Sequence, residues 1–161
     1  MAKIYLASPY GFAESTRAFV RQLRETLREN HHEVQDPWEL GGPLVNDFHR
    51  QSQGIPLERR QEMREDLNRR LGALNRETIE SVDTVVAALD GPDVDSGTAS
   101  EIGFAFGIGK RVFGYREDLR RTGEEGTIVN LQVQYWIEES GGRIVSSVPE
   151  LIKALETAPA S

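Results

Sequence analysis

Apolar residues along the chain follow two rhythms. Short runs without alternation, rich in β-branched and small side chains, predict strands buried on both faces. They are Lys3-Ile4-Tyr5-Leu6-Ala7, the run over 84–89 (Thr-Val-Val-Ala-Ala-Leu) and Arg111-Val112-Phe113-Gly114-Tyr115. Glu33-Val34-Gln35 and 143–145 read as two shorter strands. Between them the apolar positions recur at helical spacing. Phe19, Val20, Leu23 and Leu27 mark a helix over 14–28, and Met63, Leu67, Leu71, Leu74 and Ile79 a long polar helix, or two shorter ones, over 57–82. Ile102, Ala105, Phe106 and Gly109 follow the opening Gly97-Thr98, and Val148, Leu151, Ile152 and Leu155 mark a last helix over 147–156. The stretch 127–138 reads as helix or irregular chain. The stretch 36–56 carries Pro37, Gly41, Gly42, Pro43, Gly54 and Pro56 and reads as a long irregular loop, a lid or pocket wall. The tail 157–161 is small and polar and is expected to fray.

Strands interleaved with helices predict one α/β domain over 1–161, built on a doubly wound, five-stranded parallel sheet. The junction after the 84–89 strand is the point of interest. A turn, Asp90-Gly91-Pro92-Asp93, leads into Asp95-Ser96-Gly97-Thr98-Ala99-Ser100-Glu101, then a helix, then the next strand. Ligands of such sheets bind beyond the carboxyl ends of the strands. Asp95 and Glu101 are thereby expected beside a ligand, at the loop and the first helical turn, where the helix dipole favours an ionised carboxylate. An ionised, positioned carboxylate is what a glycosyl-transfer nucleophile requires. The plainer reading of the same residues is an acidic helix cap and a first-turn Glu.

Composition narrows the alternatives. The 161 residues carry a net charge of −7 and no cysteine. This argues against a nucleic-acid binder with a basic stripe and leaves no thiol nucleophile or zinc–thiolate site. No apolar run reaches the ~18 residues that a membrane span needs, and the N-terminus reads as a strand rather than a signal peptide, so a cytoplasmic location is the default expectation. The glycines from Gly103 to Lys110 miss the phosphate-loop pattern, because Arg111 stands where Ser or Thr belongs; the helix they lie in is expected to pack closely on the sheet. No serine sits in a nucleophile elbow. His31, His32 and His49 read as solvated or capping residues without metal-ligand spacing. Tyr10, Phe12, Trp38 and Phe48 are expected in loops at one edge, where aromatics can stack on a planar base.

Three segments together resemble the nucleoside 2-deoxyribosyltransferase family: Lys3-Ile4-Tyr5-Leu6-Ala7-Ser8-Pro9, Asp95-x-Gly97-Thr98-x-x-Glu101-Ile102-Gly103-x-Ala105, and Asn130-Leu131-Gln132. The resemblance implies a flavodoxin-like sheet, no metal and no organic cofactor. It also implies a homo-oligomer, dimer-based, whose subunits share active sites. The implied substrates are deoxyribonucleosides and free nucleobases. By position, Glu101 corresponds to the nucleophile that attacks deoxyribose C1′, Tyr5 to the hydroxyl that orients it, and Asp95 to the residue that holds the 5′-hydroxyl. Asn130 corresponds to a 5′-hydroxyl ligand from the neighbouring subunit, with Gln132 beside it, and Gly97 lies in the motif's loop. Many members carry an Asp for the base eight residues before Asp83; this chain has Asn75, which cannot protonate a leaving base. Glu77 is near in sequence but points elsewhere on a helix. The activities left open are deoxyribose transfer, hydrolysis of a deoxynucleoside or its 5′-monophosphate, and non-catalytic nucleotide binding.

Overall fold

The computed structural model describes residues 1–158. The strands are β1 (Lys3–Ala7), β2 (Glu33–Gln35), β3 (Thr84–Ala88), β4 (Arg111–Tyr115) and β5 (Ile144–Val145), all parallel, in the spatial order β2-β1-β3-β4-β5. This is the flavodoxin-like order, and its direction of winding reverses between β1 and β3. The helices are α1 (Glu14–Glu29), α2 (Pro37–Gln51), α3 (Leu57–Ser81), α4 (Ser96–Gly107), α5 (Leu131–Glu139) and α6 (Val148–Thr157). A single 3-10 turn, Pro9–Gly11, follows β1.

Strand periodicity sorts the core into two layers. Ile4, Leu6, Val86 and Phe113 pack with Val20, Leu23 and Leu27 of α1 and Leu151, Ala154 and Leu155 of α6. Tyr5, Ala7, Val85, Ala87 and Val112 point the other way, onto Ile79 of α3, Ile102 and Ala105 of α4, and Val133 and Ile137 of α5. Because side chains alternate across a strand, Tyr5 must leave β1 on the face that α4 covers.

The expected loop over 36–56 is mostly helix. Asp36 caps α2 by accepting from the Trp38 N–H at 2.9 Å, and Pro37 occupies the first turn, where its missing N–H costs nothing. Pro43 lies inside α2 and removes one internal bond. The residue before it is Gly42, whose missing Cβ reduces the usual pre-proline clash. The same Gly-Gly-Pro that suggests a break is thus compatible with a helix. The stretch 127–138 is irregular up to Asn130 and helical after it. Gly103 of α4 packs not on the sheet but on α5: a Cβ there would stand 3.0 Å from Trp136. His32 is buried and its Nδ1 accepts from the Ala2 N–H, so it is not the solvated residue expected. Thr157 is still helical, its hydroxyl bonded to the Lys153 carbonyl; residues 159–161 of the expected frayed tail lie outside the described residues.

Candidate active site

The carboxyl ends of β1 and β3 open into a cavity of about 880 Å³. Its walls come from the 3-10 turn, α1, the first half of α2, the middle of α3 and the N-terminus of α4, and Asp95, Gly97 and Glu101 all line it. The Tyr5 hydroxyl donates to Glu101 Oε1 at 2.7 Å, joining residues 96 apart in sequence. Asn75 Nδ2 reaches the same oxygen from α3 at 3.3 Å. Tyr5 itself is fully buried, so its hydroxyl acts on Glu101 from beneath the cavity floor.

Glu101 falls in the second turn of α4, one turn further from the helix start than expected. Its electrostatics differ accordingly. Burial pushes its carboxyl above the usual range, the Tyr5 hydrogen bond opposes that rise, and the nearby Asp95 charge adds to it. The helix start is not the dominant influence. Burial and the Glu101 charge together push the Tyr5 phenol far up, so it stays a proton donor.

Asp95 caps α4. Its Oδ2 accepts from the Thr98 N–H at 3.0 Å and from the Thr98 hydroxyl at 3.3 Å. The capping role that the sequence allowed is therefore real, and it leaves the carboxylate on the cavity wall. A Cβ at Gly97 would stand 3.0 Å from Asp95 Oδ2, so the glycine leaves the cap room.

The aromatics divide. Trp38 lines the cavity, its indole N–H donating to the Ser8 carbonyl at 2.8 Å, and Phe12 meets it edge-on at 4.5 Å between ring centres. The indole lies so close to Gly11 that a Cβ there would be 2.0 Å from the ring. Tyr10 is not at the cavity: it is buried, packs on Phe19 and donates to Asp90 at 2.9 Å. Phe48 is buried on α2 under Arg64, also away from the cavity. Both were expected in a loop cluster, and both instead follow the apolar face of an element.

Asn130 and Gln132 do not line the cavity of this chain. Asn130 caps α5 by accepting from the N–H groups of Gln132 and Val133, and both polar residues are exposed beside the half-exposed Leu131 and Tyr135. Glu77 is exposed on α3, as its phase in the helix predicts. The sequence reading missed the α1 wall. Arg17, Arg21 and Arg24 line the cavity, spaced so that they share one face of the helix, and the i, i+4, i+7 pattern was there to be read. It also missed Asp36, which is almost fully buried and pairs with Arg24 at 2.8 Å; the Asp-Pro of a capped helix start was its signal. Among the described residues no group of three potential metal ligands converges, and no helix is long and apolar enough to cross a membrane.

The sequence model of the family described as nucleoside 2-deoxyribosyltransferase matches residues 4–142. The chain belongs to that family. No curated protein sequence matches the chain significantly. Among solved structures, a 2-deoxyribosyltransferase from the psychrotolerant bacterium Bacillus psychrosaccharolyticus is 26% identical, with 94% of this chain and 90% of that one covered and a TM-score of 0.64. A conserved protein from Enterococcus faecalis V583 is 24% identical, over 97% and 98% of the two chains, with a TM-score of 0.68. A CMP N-glycosidase from Clostridium botulinum is 17% identical over 96% and 97%, with a TM-score of 0.53, a likeness of fold alone. Family and fold together make the chain a nucleoside deoxyribosyltransferase-like enzyme.

Proposed function

We propose that this 2-deoxyribosyltransferase family member moves 2-deoxyribose between nucleobases by double displacement at Glu101. The observation that carries the proposal is the Tyr5–Glu101 bond at the cavity floor. It holds one carboxylate oxygen and leaves Oε2 without a hydrogen-bond partner among the described residues. In the first step Oε2 attacks C1′, the C1′–N bond breaks, and its electron pair leaves with the base, which takes up a proton. In the second step a nitrogen of the incoming base attacks C1′, expels the carboxylate and loses its own proton. Two inversions give net retention. A 2-deoxyribose lacks the electron-withdrawing 2′-hydroxyl, so an oxocarbenium-like transition state forms with one carboxylate and no stronger assistance.

Trp38 and Phe12 offer the aromatic surface for the base. Asp95 accepts the sugar's 5′-hydroxyl from the cavity wall, with Oδ1 not used in capping Thr98. Asn130 and Gln132 serve the site of a neighbouring copy in a dimer-based oligomer, a role consistent with their exposure next to Leu131 and Tyr135. The deciding experiment is incubation with deoxyinosine, with and without free adenine. New deoxyadenosine supports transfer. Hypoxanthine release that adenine does not divert would replace the proposal with hydrolysis, and no reaction across several donors would leave a binding domain. For the shared site, mixing inactive Glu101→Ala with inactive Asn130→Ala protein should restore activity; a fully active monomer in sedimentation would refute it.

A further inference from the structure

Asn75 sits on α3 with its side-chain amide 3.3 Å from Glu101 Oε1, the same oxygen that Tyr5 holds at 2.7 Å. We infer that Asn75 is a positioning residue for the Glu101 carboxylate, not a contact for the base: its amide and the Tyr5 hydroxyl clamp Oε1 from two elements, and Oε2 alone is presented to the sugar. The inference deepens the reading of Glu101 as nucleophile and rests on it.

An amide at this position differs from a carboxylate in both charge and protons. The groups that face Glu101 are Tyr5 from β1, Asn75 from α3 and Asp95 from the turn before α4. Asp36, beyond β2, adds negative charge near Tyr5. None of these is a cation, and the arginines that line the cavity from α1 are not hydrogen-bonded to Glu101. Burial already favours the protonated carboxyl. A carboxylate at position 75 would lie about 3 Å from Glu101, and two carboxylates that close cannot both ionise, so one proton would be shared between them. In family members with an Asp at this position, the shared proton is one that the leaving base can take. An amide at 75 donates to Oε1 without bringing charge, and it has no proton to surrender. The leaving base must then take its proton from solvent or from another group in the cavity. Nucleosides whose base is already protonated, or leaves readily as an anion, should therefore react fastest.

The test is Asn75→Asp, with Asn75→Ala beside it. In the Asn75→Asp protein the acid limb of the pH profile of kcat should move up by about one pH unit or more, since a carboxylate dyad splits its two titrations by at least that much. In the Asn75→Ala protein kcat should fall about tenfold with KM within about twofold, the signature of a lost bond to the nucleophile rather than to the base. Carboxyl-carbon NMR of Glu-labelled protein reads the same point without turnover. The Glu101 resonance, assigned by its loss in Glu101→Gln, should titrate at higher pH in Asn75→Asp than in the parent. An unmoved Glu101 titration together with an unmoved pH limb would overturn the inference. So would a large rise in KM, or a change in base preference, at constant kcat in Asn75→Ala. If the NMR shift is seen but mass spectrometry places the sugar adduct elsewhere, the clamp stands and the nucleophile assignment falls.

Discussion

Replacing Tyr5 by Phe removes one oxygen from a fully buried side chain and nothing else. The bond lost is a hydroxyl-to-carboxylate bond of 2.7 Å. Bonds to an ionised partner contribute about 1.5–3 kcal/mol, which at about 1.4 kcal/mol per decade corresponds to about 10- to 150-fold in rate. The direction within the two half-reactions can be worked out as well. When Oε2 is esterified the carboxylate loses its charge and the Tyr5 bond weakens. When the sugar leaves, the charge returns and the bond strengthens, so the hydroxyl helps the carboxylate as a leaving group more than as a nucleophile. Tyr5→Phe should therefore slow the second step more than the first. Rapid-quench measurement of base release should show a burst close to the enzyme concentration followed by slow turnover, and intact-protein mass should show the deoxyribosyl adduct accumulating. The Tyr5 bond also opposes the burial that raises the Glu101 carboxyl. Its loss should move the acid limb of the first step further up in pH. Turnover within about twofold of the parent, or a fall in rate with no burst and no adduct, would refute the reasoning.

Glu101→Gln should abolish nearly all turnover, by roughly four orders of magnitude or more as for other covalent nucleophiles, yet should not lower the melting temperature. The folded-state carboxyl is raised, so its favourable contribution is complete below the unfolded value and is lost as pH rises through the folded value; at neutral pH a neutral amide relieves it, and calorimetry at pH 5 and pH 8 should show the variant gaining at the higher pH. Gly11→Ala puts a methyl 2.0 Å from the Trp38 ring. It should displace the indole, raise KM for nucleosides and shift the tryptophan emission, while kcat/KM for a variant already lacking Trp38 should not fall further. Arg24→Met leaves Asp36, 1% exposed, without its cation, and should lower stability by on the order of 3 kcal/mol in urea titration. Asp95→Ser keeps a side-chain cap for Thr98 but removes a charge that would repel a 5′-phosphate about 4 Å away by roughly 4 kcal/mol at an effective dielectric near 20. The ratio of kcat/KM for deoxyadenosine monophosphate to that for deoxyadenosine should rise; an unchanged ratio would leave Asp95 as a cap alone.

The three central strands, β1, β3 and β4, and their two-sided burial could be read from apolar runs because parallel strands inside a sheet have no polar face to confuse the pattern. Helix α2 could not, because Gly41, Gly42 and Pro43 all have poor helix propensity and its formation rests on the Asp36 cap and on packing against α3 and the cavity. The Tyr5–Glu101 meeting could be expected from topology and from the family motif, since β1 and β3 are neighbours and α4 follows β3. The roles of Tyr10 and Asn75 could not. Both depend on which way a side chain turns: Asn75 turns from the body of α3 to Glu101, and Tyr10 turns inward from the 3-10 turn to Asp90, a carboxylate that also accepts from the N–H groups of Glu117 and Asp118. Neither position announces that choice in its neighbours along the chain.

What the cavity withholds is as informative as what it supplies. The α1 wall carries Arg17, Arg21 and Arg24, but Arg17 is paired with Glu14, and Arg24 with Asp36, Glu39 and Glu25. The charge of these two is largely answered before a ligand arrives, whereas Arg21 has no ion pair among the described residues. Around Glu101 the reverse holds: a hydroxyl and an amide, both neutral, are its hydrogen-bond donors. A cation there would stabilise the carboxylate permanently and make it a poorer nucleophile, since an ion-paired oxygen gives up its partner on bonding to carbon. Neutral donors fix the geometry at smaller cost to reactivity. The remaining burden is a buried charge with no counter-ion, a local instability of the kind that accumulates where a site is shaped for reaction rather than for folding. The positive charge that does answer it is transient: it develops on the sugar ring as the C1′–N bond opens, within reach of Oε2, and disappears when the ester forms.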